Sequence, residues 1–130
     1  MNDDFYSRTE MLLQTDGLER LRRAHVLVVG LGGVGGYAAE QLCRAGVGRL
    51  TLVDGDCVSV SNINRQIIAL NSSVGMPKAK LLAERFHDIN PNCQVDARVE
   101  FLRDEAMLQL LQSEKFDCVV DAIDTLSPKV

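Results

Sequence analysis

Residues 26–56, VLVVGLGGVGGYAAEQLCRAGVGRLTLVDGD, limit what this chain can fold into more than any other stretch. Val26, Val28 and Val29 lead a continuous apolar run, Val26 to Gly30, the pattern of a strand buried on both faces of a parallel sheet. The glycines that follow meet the Gly30-x-Gly32-x-x-Gly35 spacing of dinucleotide-binding turns, with Gly33 and Gly36 adding room. An Ala- and Leu-containing segment then predicts a helix from about Gly33 to Ala45 with Gly46 as its C-cap, and Arg49 to Val53, RLTLV, predicts a second strand. A turn of this kind brings bare backbone N–H groups to a helix N-terminus, where partial positive charge favours phosphate. The spacing alone is a weak signal. A strand before it and a helix after it give it weight.

The other elements follow from periodicity and punctuation. Met11, Leu12, Leu18 and Leu21 recur at rough helical spacing, and Gly17 is expected to divide them into two short helices near Thr15 or Asp16. After the second strand, DGDCVSVSNINRQIIALNSSVG is long where about 2–6 residues is usual, which marks it as functional; a short helix is expected near Ile63. Pro77 suits the first position of a helix running to about Ile89, stopped by Asn90-Pro91. Gln94 to Glu100 reads as a third strand with Val95, Ala97 and Val99 inward. Asp104 reads as the cap of a helix through about Leu111, and Phe116 to Ala122 as a fourth strand.

Alternating strands and helices with right-handed crossovers predict an α/β, Rossmann-like doubly wound parallel sheet of order 3-2-1-4. Ligand is then expected beyond the C-terminal ends of strands 1 and 4, where the order reverses. The expected organisation is an N-terminal helical segment over 1–25 and a nucleotide-binding domain over 26–130. Doubly wound domains ordinarily continue past a fourth strand, so the chain reads as the N-terminal part of a longer protein, truncated after that strand.

Composition narrows the partners. With 14 basic and 18 acidic side chains among 130 residues, the net charge of −4 gives the chain as a whole no electrostatic footprint for nucleic acid. Arg20, Arg22, Arg23 and His25 form one basic group, read as a solvated face with an RNA contact as the alternative. No apolar run reaches the roughly 20 residues of a membrane helix, and MNDDFYSRTE is no signal peptide, so a cytoplasmic protein without membrane contact is expected. Cys43, Cys57, Cys93 and Cys118 contain no CxxC pair and match neither a zinc site nor a disulfide framework. Cys43 and Cys118 read as packing residues within a helix and a strand, and Cys57 as a bystander thiol in a loop near the site.

The candidate site gathers around the glycine turn. Asp54 closes the second strand, where a carboxylate can accept hydrogen bonds from ribose hydroxyls, whether of NAD or of ATP; Asp56 belongs to the same turn. Asn62, Asn64, Arg65 and Gln66 form a polar cluster anchored by the apolar residues after it, and an arginine there offers a bidentate fork for phosphate. Lys78 lies in a first helical turn, where a cation opposes the helix dipole; a bound polyphosphate would explain it, and so would a tolerated surface charge. Asp121 and Asp124, at the end of a buried strand, are candidates to hold Mg²⁺ against phosphate oxygens, with helix N-capping by Asp124 as the plainer reading. Together these residues suggest a nucleoside triphosphate with its metal, and nucleotidyl transfer in which an oxygen nucleophile attacks the α-phosphate and pyrophosphate leaves. A NAD-binding oxidoreductase or sensor domain is the alternative from another class, and a non-catalytic scaffold a further one.

In order and spacing, VLVVGLGGVGGYAAEQLCRAGVGRLTLVDGD, SNINRQ, VGMPKA and VVDAID resemble the ThiF/MoeB/HesA group of ubiquitin-activating-type adenylyltransferases, from about Phe5 to Val130. NINRQIIAL, AERFHDINP and DAIDTLSPK are most similar to the branch that dehydrates threonylcarbamoyladenosine in tRNA. The resemblance implies ATP-dependent activation of the threonylcarbamoyl carboxylate, then cyclisation, with adenylation of a ubiquitin-like sulfur-carrier protein as the alternative. It implies phosphate contacts from Gly32, Gly33 and Gly35, and a ribose contact from Asp54. It also implies triphosphate contacts from Asn62, Arg65 and Gln66, catalysis by Lys78 and metal binding by Asp124. Arg8, in FYSRTE, resembles an arginine lent across a homodimer to the partner's ATP. The zinc-binding cysteine pairs of several relatives are missing, which weakens the sulfur-carrier reading, and contacts to tRNA are expected largely outside these residues.

Overall fold

The structure is a computed structural model that describes residues 5–123. Four parallel strands, β1 (His25–Val29), β2 (Arg49–Val53), β3 (Gln94–Arg98) and β4 (Cys118–Asp121), form one sheet in the order β3-β2-β1-β4. Between them run α2 (Gly33–Ala45), α3 (Lys78–Ile89) and α4 (Asp104–Ser113), and α1 (Ser7–Arg23) precedes the first strand. The expected α/β architecture and strand order are those observed. Every residue of β1 is buried, because it is central and covered on both faces, as its unbroken apolar run requires.

Alternate residues of the central strands serve two cores. Val26, Val28, Leu50 and Leu52 pack with Leu82 and Phe86 of α3 and Ala39 of α2. On the opposite face Leu27, Val29 and Val53 meet Leu110 of α4, with Met107 and Phe116 half-buried beside them. The two cysteines of the larger core share it: Cys43 Sγ donates to the Phe86 carbonyl at 3.6 Å, and the interaction of the two thiols lowers the Cys43 pKa and, with burial, raises that of Cys93.

Several boundaries move. Pro77 occupies the cap position of α3, not its first turn, and Arg103 takes the cap position of α4, so that Asp104 begins that helix. The break in α1 falls at Gln14, at φ 62°, not at Gly17. Gly17 lies inside the second half, where a Cβ would stand 2.9 Å from Leu13 Cβ. Met11 and Leu12 of the first half are exposed, and Leu18 alone of the four predicted apolar positions is fully buried. The long connection holds two short 3₁₀ turns, Val60–Asn62 and Asn71–Ser73, and no helix at Ile63.

The edge strands depart from expectation because a helix covers only part of each. β3 ends at Arg98, and Val95 packs inward while Ala97 and Val99 are exposed. Cys118, expected to be packed, is exposed on β4. Among the described residues no helix is long and apolar enough to cross a membrane.

Candidate functional site

The glycine turn is a product of close approach. Gly30 sits at φ +90°, and a Cβ there would meet the Ala122 carbonyl at 2.7 Å. A Cβ on Gly35 would collide with the Gly30 carbonyl. These two glycines let α2 fold back against the ends of β1 and β4; Gly32 and Gly33, by contrast, line open space. The first turn of α2 has no side-chain cap and no acidic residue, so its N–H groups remain available to an anion.

A cleft of about 940 Å³ opens in front of this turn, beyond the C-terminal ends of β1, β2 and β4. It is bounded by Gly30, Gly32 and Gly33, by Asp54 and Asp56, and by Asn62, Arg65, Gln66 and Lys78. Tertiary structure thus gathers three separated motifs at the switch point, where a doubly wound sheet binds ligand. Glu100, Phe101 and Leu102 complete the far wall. Sequence reasoning missed those three; the only signal was an aromatic and an aliphatic residue side by side in a strand-to-helix connection. Phe101 lies directly over Gly55, where a Cβ would stand 2.4 Å from its ring.

The polar groups of the cleft are held in distinct ways. Asp54 is buried, and both of its oxygens already accept backbone donors: Leu31 N–H to Oδ2 at 2.7 Å and Asp56 N–H to Oδ1 at 2.7 Å. It therefore fixes the glycine turn to the loop after β2, with its remaining lone pairs facing the cleft. Asn62 is equally occupied, its Oδ1 accepting from Ser59 N–H at 2.9 Å and its carbonyl from Arg65 and Gln66 N–H. Arg65 is exposed at the rim and donates to the Ser61 carbonyl and to Asn64 Oδ1, both at 3.1 Å. Asn64 itself does not line the cleft; it steadies Arg65.

Lys78 is the outlier. It is 5% exposed, its backbone N–H donates to the Asp56 carbonyl at 3.1 Å, and its ammonium has no ion pair among the described residues. The packed stem brings the ammonium to the cleft, and nothing in α3 compensates its charge, since a helix N-terminus repels positive charge. An anionic ligand in the cleft would.

Besides Asn64, three predicted site residues stand apart. Gly35 is packed inside the turn and does not line the cleft. Asp121, at the end of β4, accepts a hydrogen bond from Ile123 N–H at 3.2 Å and does not face the cleft either. Arg8 is exposed on α1 near Tyr6, whose ring packs on Gly46 beyond the C-terminal end of α2, away from the cleft. Asp124 lies outside the described residues.

A second polar group lies on the α4 face of the sheet, outside the cleft. Ligand atoms of His25, Asp96 and Glu114 fall within 4.8 Å of one another. The carboxylates are already neutralised: Arg49 Nη2 donates to Asp96 at 2.7 Å and to Glu114 at 3.1 Å, and Arg98 donates to Glu114 at 3.0 Å. The His25 Nε2 and Thr51 Oγ1 form a hydrogen bond of 2.7 Å. Two arginines balance two carboxylates, so this group is a clasp between β2, β3 and the end of α4. It has no charge left for a metal ion.

The ThiF family matches residues 6–130. The tRNA threonylcarbamoyladenosine dehydratase of Bacillus subtilis is 46% identical over 125 residues, which cover 96% of this chain and 49% of that protein. The solved structure of the Escherichia coli tRNA N6-threonylcarbamoyladenosine dehydratase in complex with ATP superposes with a TM-score of 0.89 at 44% identity, covering 95% of this chain and 51% of that one. A sulfur carrier protein adenylyltransferase of Thermus thermophilus is 42% identical over 123 residues, covering 93% of this chain and 45% of that protein. The chain spans about half the length of the curated relatives it matches.

Proposed function

The chain belongs to the ThiF family, and from that premise we propose that it provides the ATP-binding part of a tRNA threonylcarbamoyladenosine dehydratase. The observation that carries this is Lys78, whose stem is buried and whose ammonium, without an ion pair among the described residues, lines a cleft fronted by an uncapped helix N-terminus. Polyphosphate satisfies both features at once. The cleft of about 940 Å³ is roomy enough for a nucleotide.

In this reading Gly32 and Gly33 offer backbone N–H groups to the phosphates, Gln66 adds its side-chain amide, and Asn62 holds the loop that carries Arg65. Asp54 fixes the turn and accepts from the ribose; Phe101 and Leu102 give the base an apolar wall. Arg65 and Lys78 then stabilise charge as the substrate carboxylate attacks the α-phosphate and pyrophosphate departs. Cyclisation of the activated threonylcarbamoyl group releases AMP. No covalent enzyme intermediate is required. Mg²⁺ would be held by Asp124, with Asp56 as a further carboxylate lining the cleft, and would offset the negative charge of the phosphates. Arg8 is assigned to the ATP of a second copy in a homodimer, tRNA to surfaces largely outside residues 1–130, and the protein to the cytoplasm.

Calorimetric titration of the full chain with ATP and Mg²⁺, and separately with NAD, tests the reading: ATP is expected to bind and NAD to leave no heat. Equal binding of NAD, independent of Mg²⁺, would overturn it. Adenylation of a sulfur-carrier protein is the second reading, supported by the relative from Thermus thermophilus. ATP–pyrophosphate exchange stimulated by such a carrier, and not by tRNA bearing threonylcarbamoyladenosine, would replace the first reading with the second.

A further inference from the structure

Helices α2 and α3 pack side by side in the larger core and meet at three levels. Near their starts, a Cβ on Gly36 would stand 3.7 Å from Leu82 Cδ1. Midway, Arg85 donates from Nε to Glu40 Oε1 and from Nη2 to Oε2, and Arg44 Nε donates to the same Oε2 at 3.1 Å. Near their ends, Cys43 Sγ donates to the Phe86 carbonyl, and Asn90 Nδ2 donates to the Cys43 carbonyl at 3.3 Å. Glu40 is the eighth residue of α2 and Arg85 the eighth of α3. The two helices therefore run parallel and in step, and their first residues, Gly33 and Lys78, both reach the cleft.

We propose that Glu40 and Arg85 are positioning residues for the phosphate site: their pairing sets the roll and step of α3 against α2, and so where the Lys78 ammonium stands relative to the Gly32 and Gly33 N–H groups. Adhesion alone does not call for a carboxylate here. The Glu40 side chain is 4% exposed, and an apolar side chain of similar size would hold two helices together at least as well. What the pair adds is direction. Apolar contact is non-directional and yields to a small roll, whereas an arginine fork on a buried carboxylate holds one geometry. The start of α3 has its own tether: Lys78 N–H donates to the Asp56 carbonyl, and Asp56 N–H donates to Asp54, which also holds Leu31 N–H. That tether fixes where the helix begins and leaves it free to roll about its axis, which would swing the Lys78 side chain. A second fixed point about 10 Å further along, at 1.5 Å per residue, removes the freedom. The role of the pair rests on the cleft being an ATP site, but the register it sets is observable without nucleotide.

Two variants of the full chain test this. Glu40→Gln keeps the shape and removes the charge. Glu40→Leu combined with Arg85→Met exchanges the pair for apolar contact, so it is expected to fold and melt close to wild type and carries the comparison should the single variant not fold. In both, ATP affinity by calorimetry is expected to fall roughly tenfold, the cost of one misplaced charge-assisted contact. Combined with Lys78→Met, neither is expected to lower affinity by more than about a further twofold, because both act through the ammonium. A purely stabilising pair predicts the reverse: an altered melting temperature, with unaltered affinity in the folded protein. Nucleotide-free crystal structures of wild type and the double variant are expected to differ in the roll or step of α3, moving Lys78 Nζ by about 1 Å, a displacement that matters at a reacting group. Folded variants that bind ATP as wild type does overturn the proposal, as does an equal loss with and without Lys78, or an α3 that has not moved. A wild-type protein that binds no ATP overturns the nucleotide reading instead, and the place of Lys78 Nζ in the two nucleotide-free structures then decides by itself whether the pair sets the register.

Discussion

Two groups of charge on the same sheet are built on opposite terms. On its α4 face, Arg49 and Arg98 meet Asp96 and Glu114, and each arginine has a carboxylate within 3.1 Å. Beyond the C-terminal ends of the strands, Lys78 and Arg65 line the cleft with no ion pair among the described residues. The first arrangement is complete within the fold. The second is incomplete without an anion. Self-neutralised charge marks structure, and unneutralised charge gathered on a cleft marks a ligand site.

The contrast breaks most sharply at Lys78. Lys78→Met keeps the packed stem and removes the cation, so ATP-dependent turnover of the full-length protein is expected to fall by about 10²- to 10³-fold. Thermal stability without nucleotide should hold steady or rise, because a cation that opposes the dipole of α3 is gone. A variant that melts earlier and keeps its activity would show Lys78 to be structural.

Asp54→Asn comes next. The amide can still accept one of the two backbone N–H groups, but its NH₂ would confront the other. ATP binding is expected to weaken about tenfold or more by calorimetry, with loss of stability on the order of 1–2 kcal/mol in denaturant titration.

Apart from both groups, Glu40 on α2 is buried against Arg85 of α3 and Arg44. The Arg85 hydrogen bond, above all, holds its carboxyl below the usual glutamate range, against the opposing effect of burial. A carboxylate lowered in this way adds stability at pH above its unfolded value, and that stability drains as pH falls through the lowered native value. Glu40→Ala is expected to cost about 2 kcal/mol near neutral pH, and the wild-type advantage should shrink as pH falls below the ordinary glutamate value and vanish below the lowered native one. An unchanged difference in acid would remove the ion pair as its cause.

The clasp itself should give the smallest effect. Arg49 is 38% exposed, so Arg49→Met is expected to lose only about 0.5–1 kcal/mol, less in high salt, and to leave ATP binding unaltered. Loss of nucleotide affinity there would erase the distinction between the two groups.

Much of this was legible in the chain because it is encoded locally. The bounds of α2 and β2 match the expected ones residue for residue, since Gly46, at φ +113°, stops the helix and RLTLV is an unmistakable strand. The four-strand order followed from right-handed crossovers taken together with the doubly wound pattern that the glycine turn announces. What misled was partial covering: Ala97 and Cys118 look like core residues by type, but an edge strand exposes them. Met11 and Leu12 misled likewise, because periodicity says that a face is apolar, never that something meets it.

A phosphate-binding turn, a parallel sheet and the kinship of four motifs could be read from the residues alone, because each rests on short-range spacing. Spacing could not tell whether Lys78 was an idle surface charge or a buried one, nor that Asp54 spends both oxygens on backbone amides, nor that Phe101 closes the cleft over Gly55. Those are facts about neighbours far apart in the chain. Burial and charge pairing are settled only when distant segments meet, so it took the folded molecule to show which cation was left for a ligand.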